Sequence, residues 1–419
     1  MPGTTFRAPT TEELQHELVR ERFALRSLLD FAQTLTPELG VEGIIRSVLR
    51  TIMGKALIQD TFAYVHHSYF PEEVQEKLSG DYLLVTYAGF RKRTFNAQIS
   101  SVELDALIES PDEGVSIMLP VVTPDQSESI ALLGFGKPLL PSTNLDEQQT
   151  FVESLSVLTG MALTNAKLFE SEKKRVGYES ELRLAREIQQ SLFPQSFPQV
   201  EGLSFAGLVR PSGHVGGDYY DVIRLSDTKV LLCVADVVGK GISAALIMSN
   251  LQAALRTLIA PIKRGDMLLT QAVQRLNTLI FEHTSAERFI TAVFAIIDSQ
   301  QNNVETCICG HPNPLIINDL GEVSQVSASG IPLGIMPDFE FSCVSEPFTP
   351  GSTLILYTDG LSEARLADED DLIGVQGVEG IAIAQYSTGD SVETFLDKIT
   401  ERTGLEFDDD LTILLARRS

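Results

Sequence analysis

Val230-Leu231-Leu232-Cys233-Val234-Ala235-Asp236-Val237-Val238-Gly239-Lys240-Gly241 is the stretch on which the fold turns. Its apolar, β-branched-rich opening reads as a strand, and the segment Gly239-Lys240-Gly241 lies where that strand passes into a helix expected from about Ser243 to Ile259. A carboxylate, Asp236, marks the junction. The same device recurs along the C-terminal half. Asp218 stands in Gly216-Gly217-Asp218-Tyr219-Tyr220-Asp221, Asp359 follows the run Thr353 to Tyr357, and Asp409 and Asp410 precede Leu411 to Leu415. A single Asp in a loop is ordinarily a turn or cap residue, and Thr358-Asp359-Gly360 alone would be a routine turn. Four such places in one domain can instead converge as a carboxylate cage. Oxygen-only ligands suit Mg²⁺ or Mn²⁺ rather than zinc.

Outward from this stretch, the region from Leu203 to Leu415 reads as two β-runs, helices at Ser243 to Ile259 and Leu268 to Phe281, and further β-runs around Phe294, Ile308, Ile316, Phe341 and Ile355. A last helix near Val392 to Glu401 and a final strand follow. Strands, then helices, then strands favour a layered α+β sandwich over a doubly wound sheet. Pro194 and Pro198 end a preceding helix and mark a domain boundary. That helix reads almost continuously from Asn144 to Leu192. Its Leu182, Ala185, Gln189 and Leu192 recur at alternating three- and four-residue steps, a stripe able to pair with a second copy or to pack on its own domain.

The N-terminal part has helical spacing over Glu12 to Leu35 and Val41 to Met53. Short β-like runs follow at Thr61 to His66, Tyr82 to Ala88, Gly114 to Val122 and Ser129 to Phe135. Helices flanking an antiparallel sheet and leaving through a long helix resemble a GAF domain, with Phe151 to Glu170 in the place of the exit helix. The expected organisation is a GAF-like sensor over residues 1–168, a helical linker over 169–195 and a catalytic domain over 196–419.

A chain of 419 residues suggests about two or three domains. Its formal charge of -25, from 57 acidic against 32 basic residues, argues against nucleic acid or an anionic membrane as the main partner. No run approaches the roughly 20 uncharged apolar residues of a membrane helix. The four cysteines, Cys233, Cys307, Cys309 and Cys343, lie in or beside apolar strand-like runs, and the N-terminus has no signal-peptide core, so a reducing, cytoplasmic setting is expected.

Several motifs reduce to ordinary structure. A nucleotide P-loop needs Ser or Thr directly after its Lys and Gly six residues before it, but Gly241 follows Lys240 and Val234 holds the earlier place. Cys307, Cys309 and His311 alternate along one strand and lack a second ligand pair for zinc. The acidic run Asp368 to Asp371 has Leu372 and Ile373 where a calcium loop needs a ligand and a Gly. His66 and His67 read as surface histidines, Asp221 as a turn residue, and Lys240 as a solvated lysine.

Gly216 to Asp221, Asp236 to Gly241, Gly310-His311-Pro312, Gly330 to Gly334, Tyr357 to Ala364 and Asp409 to Thr412 together resemble, in order and spacing, the SpoIIE/RsbU branch of the PPM metal-dependent protein phosphatases. Ala185 to Pro194 resembles the helix that precedes those catalytic domains. The resemblance implies an αββα sandwich holding two Mn²⁺ or Mg²⁺ ions. Asp236 would bridge them, Asp218 and the carbonyl of Val237 would serve one, Asp359 and Asp409 the other, and Asp410 would support the set. It also implies hydrolysis of a phosphoserine or phosphothreonine on a regulatory protein, an anti-sigma factor antagonist by analogy, under an unidentified signal at the GAF-like domain. One departure is Val238, where some PPM enzymes carry a histidine. A homodimer through Asn165 to Leu192 is expected from the helical stripe. A non-catalytic scaffold and a nucleotide phosphodiesterase are the competing classes.

Overall fold

A computed structural model describes residues 11–89, 95–109, 115–125, 127–137, 145–284, 287–365, 372–386, 391–402 and 409–419. The acidic run Asp368 to Asp371 lies outside them. The chain divides into two compact units, Met1–Gly177 and Tyr178–Ser419.

The first unit contains α1 (Thr11–Thr34), α2 (Gly40–Ala56), β1 (Thr61–His66), α3 (Glu72–Gln75), β2 (Tyr82–Ala88), β3 (Gln98–Ile99), α4 (Ser101–Glu109), β4 (Val115–Val122), β5 (Ser129–Gly136) and the start of α5 (Leu145–Gln190). Its antiparallel sheet has the order β3-β2-β1-β5-β4. Alternation along β1 places Ala63 and Val65 against Ile44, Ile45 and Val48 of α2 and Leu155 and Leu163 of α5. Phe62 and Tyr64 point to the other face, with Tyr82, Ile99 and Leu104. The strand is therefore apolar or aromatic throughout Phe62 to Val65 because both of its faces are covered. α4 was not evident in the sequence, being a short helix of mixed pattern.

The second unit continues with β6 (Leu203–Arg210), β7 (Tyr219–Arg224), β8 (Lys229–Val237), α6 (Ile242–Arg264), α7 (Leu269–His283), β9 (Ile290–Asp298), β10 (Asn303–Cys309), β11 (Leu315–Ile317), β12 (Val323–Gln325) and β13 (Cys343–Pro347). It ends with β14 (Thr353–Tyr357), α8 (Asp359–Ser362), α9 (Gly374–Gln385), α10 (Val392–Arg402) and β15 (Leu411–Arg418). Two five-stranded antiparallel sheets form, in the orders β13-β10-β9-β8-β7 and β12-β11-β14-β15-β6. The apolar run Val230 to Ala235 of β8 explains their stacking. Val230, Leu232 and Val234 face the second sheet through Leu354, Leu356 and Leu414. Leu231, Cys233 and Ala235 face α6 and α7 through Met248, Leu251 and Leu276. On the outer side of the second sheet, Ile355, Ile413 and Leu415 pack on Val378 and Ala382 of α9 and Phe395 of α10. Helices, sheet, sheet and helices thus form four layers. Truncating a wholly buried side chain such as Leu232 to Ala would cost about 2–5 kcal/mol.

Some expectations change. The β-run placed around Phe341 begins at Cys343, and Phe341 is a core residue beside α7's layer. α9 was missed because its sequence, GVQGVEGIAIAQ, carries three glycines. Cys307 of β10 lies directly opposite Cys343 of β13, with Cα atoms 4.3 Å apart, and the two are joined as a disulfide. Cys233 and Cys309 remain free and buried. α6 is long and apolar enough to cross a membrane by composition, but Ile247, Met248, Leu251, Leu255 and Leu258 are packed in the core.

Candidate functional site

The first sheet brings two carboxylates and the second three to one end of the sandwich. In the first, β7 pairs with β8 so that Tyr219 faces Ala235, and the next rung outward places Asp218 across from Asp236. Asp236 itself lies inside β8, opposite Thr291 of β9. In the second sheet, β14 runs out at Tyr357 and β15 starts at Leu411, so Asp359, the first residue of α8, and Asp409 and Asp410 share that end.

Hydrogen bonds tie the two sheets together here. Thr358 Oγ1 and Thr412 Oγ1 both donate to Asp218 Oδ2, at 2.9 and 2.6 Å. The Thr412 amide donates to Thr358 Oγ1 at 2.9 Å. Asp410 holds the glycine loop: its Oδ2 accepts from the Gly217 amide at 2.7 Å, and its Oδ1 from the amide and hydroxyl of Ser212 at 2.8 and 3.0 Å. The glycines are demanded by close approach. A Cβ on Gly216 would stand 2.3 Å from Asp410 Oδ2, one on Gly217 2.7 Å from the Val237 carbonyl oxygen, and one on Gly360 1.9 Å from the Asp410 carbonyl oxygen.

The electrostatics follow from crowding acids in a buried place. Burial raises the Asp218 carboxyl well above the ordinary range, and Asp236 adds to it. Burial, then Asp359 and Asp409, push Asp236 up to about 7. Asp359 is raised by burial and by Asp409. Each effect disfavours the ionised form, so the group as a whole is short of positive charge. Lys240 supplies part of it, with Nζ 3.4 Å from Asp409 Oδ1, although the lysine was expected to be merely solvated.

Among the described residues, no three carboxylate, imidazole or thiol groups already stand together as the coordination sphere of one ion. The donor chemistry nevertheless fits a hard divalent cation. Asp218 Oδ1 is buried without a hydrogen-bond partner, a costly state for a carboxylate oxygen, and the surrounding donors are all oxygens.

Other residues fall elsewhere. Asp221 is no turn residue. It lies in β7, is wholly buried, and accepts from Tyr219 Oη at 2.6 Å, from the Val222 amide at 2.8 Å and from Arg256 of α6 at 2.6 Å. Val238 is exposed beyond the end of β8. His311 is buried against Thr291 Oγ1 at 2.9 Å, and burial lowers its pKa to about 3. Of the stripe expected to pair with a second copy, Gln189 is buried in its own unit and Leu192 packs on the core beside α6. The exposed apolar residues of α5 are others, including Leu168, Val176, Leu184 and Ile188. Gln189 was seen only as part of that stripe. Its Nε2 donates to the Gly216 carbonyl at 2.7 Å and its Oε1 accepts from the Gly216 amide at 3.2 Å. Nothing local in the sequence announces that contact.

Two stacked antiparallel sheets between helical layers, with acids gathered where the strands of both sheets end, give the C-terminal unit the fold of a PP2C-type phosphatase domain. Residues 226–419 match the family described as Stage II sporulation protein E, SpoIIE. The phosphoserine phosphatase RsbU of Bacillus subtilis (strain 168) is 25% identical over 289 residues, covering 67% of this chain and 83% of RsbU. Protein IcfG of Synechocystis sp. is 29% identical over 208 residues, covering 44% of this chain, and the chain spans only 33% of IcfG's length. Among solved structures, the SiaA-PP2C domain of Pseudomonas aeruginosa superposes with a TM-score of 0.51 at 21% identity, over 59% of this chain and 99% of that one, a likeness of fold.

Proposed function

We propose that the chain is a metal-dependent protein phosphatase that hydrolyses phosphoserine or phosphothreonine on a regulatory protein of the anti-sigma factor antagonist class, under control of its GAF-like N-terminal unit. The observation that carries this reading is the gathering of Asp218, Asp236, Asp359 and Asp409 from two sheets at one end of the sandwich. Asp236 would be the carboxylate shared by two Mn²⁺ or Mg²⁺ ions, with Asp218 and the Val237 carbonyl holding one and Asp359 and Asp409 the other. When bound, the two ions supply Lewis acidity toward the phosphoryl group and a water of lowered pKa aimed in line at phosphorus.

The chain's own residues orient this chemistry. Thr358 and Thr412 fix one oxygen of Asp218 and leave the other unpaired. Asp410 holds the glycine loop from behind rather than acting as a ligand. With Val238 where some PPM enzymes carry a histidine, the side chain at that position cannot protonate the leaving serine or threonine oxygen. Lys240, beside Asp409, is a cation suited to an incoming phosphate.

The regulatory part of the proposal rests on α5, which leads from the first unit into the second. Its exposed Leu184 and Ile188, one turn apart on the helix, are offered as part of the face of a homodimer. The substrate class follows RsbU and RsbP, both named phosphoserine phosphatases. The deciding assay is Mn²⁺-dependent phosphate release from a phosphoserine protein and from a nucleotide. Release from the nucleotide alone would replace this reading with a phosphodiesterase, and release from neither would leave a scaffold.

A further inference from the structure

The residues around Asp218 are held one by one from different directions. The Gly216 peptide is bracketed by the Gln189 side chain of α5, through Nε2 to its carbonyl at 2.7 Å and from its amide to Oε1 at 3.2 Å. The Gly217 amide is taken by Asp410, and the Asp218 carboxylate by Thr358 and Thr412. On the far side of Asp218, Phe193, three residues past the end of α5, packs its ring against those of Tyr219 and Tyr220 at 6.0 and 5.6 Å. The terminus of α5 therefore grips the chain on both sides of Asp218 without touching its carboxylate.

Gln189 is suited to this task. It is buried, and an amide side chain is able to donate and accept at once, which matches both polar groups of Gly216. Neither partner can be replaced by water in so enclosed a place without a hydrogen-bonding loss. Gly216 cannot retreat by gaining a side chain, since a Cβ there would strike Asp410.

The geometry points to Gln189 as a positioning residue for the metal-binding loop: it fixes Gly216, and through it the aim of Asp218, so that the setting of the last turn of α5 determines metal affinity. This rests on the metal-dependent reading above and adds a specific element of control to it. The regulated quantity is the affinity for the divalent cation, not the intrinsic chemistry of the loaded site. Groups that orient a ligand from outside the coordination sphere commonly change metal affinity by about 10–100-fold when removed.

The test uses the full-length chain, stripped of metal by chelator, with Gln189→Met, which keeps length and loses both hydrogen bonds, and Gln189→Glu, which keeps the acceptor for the Gly216 amide and loses the donor. Mn²⁺ binding is measured by calorimetry, turnover of a phosphoserine protein is followed across Mn²⁺ concentrations, and the metal-free melting temperature is recorded. The expected result is Mn²⁺ affinity falling in the order wild type, Glu, Met, by at least about 10-fold for Met, with turnover at saturating Mn²⁺ little changed and the loss of affinity larger than the fall in metal-free stability accounts for. The inference is overturned if the Met variant binds Mn²⁺ as tightly as wild type. It is equally overturned if both variants lose affinity only in step with lost metal-free stability, which is what a simple helix anchor would give. A wild-type chain that binds no Mn²⁺ would instead sink the metal-dependent reading itself.

Discussion

Replacing Asp236 by Asn should abolish turnover while making the metal-free protein more stable. Burial, Asp359 and Asp409 raise the Asp236 carboxyl from 3.8 to about 7. At about 1.4 kcal/mol per pH unit, holding that group ionised in the folded chain costs up to about 4 kcal/mol above neutral pH. The sign follows from proton linkage. A carboxyl whose folded pKa is raised binds more protons folded than unfolded, so its contribution is favourable below about pH 4 and is lost as pH rises through about 7. Asparagine cannot ionise, so the variant escapes the loss. In chelator at pH 8 its catalytic unit should melt roughly 5–10 °C above wild type, the shift given by about 2–4 kcal/mol in a domain of this size. The gap should close toward pH 4. Added Mn²⁺ should then raise the wild-type transition, by about 2.7 kcal/mol of stability at a hundredfold excess over Kd, and leave the variant unmoved. Scanning calorimetry from pH 4 to 8, with and without Mn²⁺, reads all of this. A stripped variant that melts at or below wild type at pH 8, or one that keeps wild-type turnover at saturating Mn²⁺, would refute the assignment of Asp236 as a carboxylate held against its neighbours for a cation.

Asp221→Ala should act in the opposite manner, leaving Tyr219 Oη and Arg256 without their acceptor. Because Arg256 is partly exposed, the expected loss is about 2–3 kcal/mol rather than the full cost of breaking a buried pair, and denaturant melts should show it with Mn²⁺ affinity intact. A chain lacking residues 1–164 should still hydrolyse a small aryl phosphate in the presence of Mn²⁺ while losing its response to any signal received by the first unit; a truncated protein that folds but is inert would place part of the active site in the missing segment. The double change Leu184→Asp and Ile188→Asp should lower the apparent mass seen by light scattering at micromolar concentration, and an unchanged mass would remove α5 as the dimer face.

The parts of the site legible in the sequence were those written locally. An Asp adjoining an apolar strand-like run needs only a few neighbouring residues to be recognised, and Asp218, Asp236, Asp359, Asp409 and Asp410 were each read on that basis. The strands Thr61–His66, Tyr82–Ala88 and Thr353–Tyr357 were equally plain, being short apolar runs bounded by turns. What escaped was set by register and packing between distant segments. Asp221 meets Arg256 because β7 lies under α6, Cys307 meets Cys343 because β10 pairs with β13, and Gln189 meets Gly216 because a helix end docks beside a loop. Gln189 shows most clearly why. On a helical wheel it belongs to an apolar stripe, and the pattern alone cannot distinguish a position that faces a partner helix from one that faces the chain's own loop.

That ambiguity has a physical consequence for regulation. A dimerising stripe along Leu182, Ala185, Gln189 and Leu192 would transmit a signal by separating two chains, but Gln189 and Leu192 are already engaged within their own unit. The exposed apolar residues Leu184 and Ile188 lie in the same turns. One helix end therefore presents one set of side chains outward and another to the loop that carries Asp218. A partner that grasps Leu184 and Ile188 cannot turn the helix without moving Gln189, and it need not reach the carboxylates to change how they are aimed.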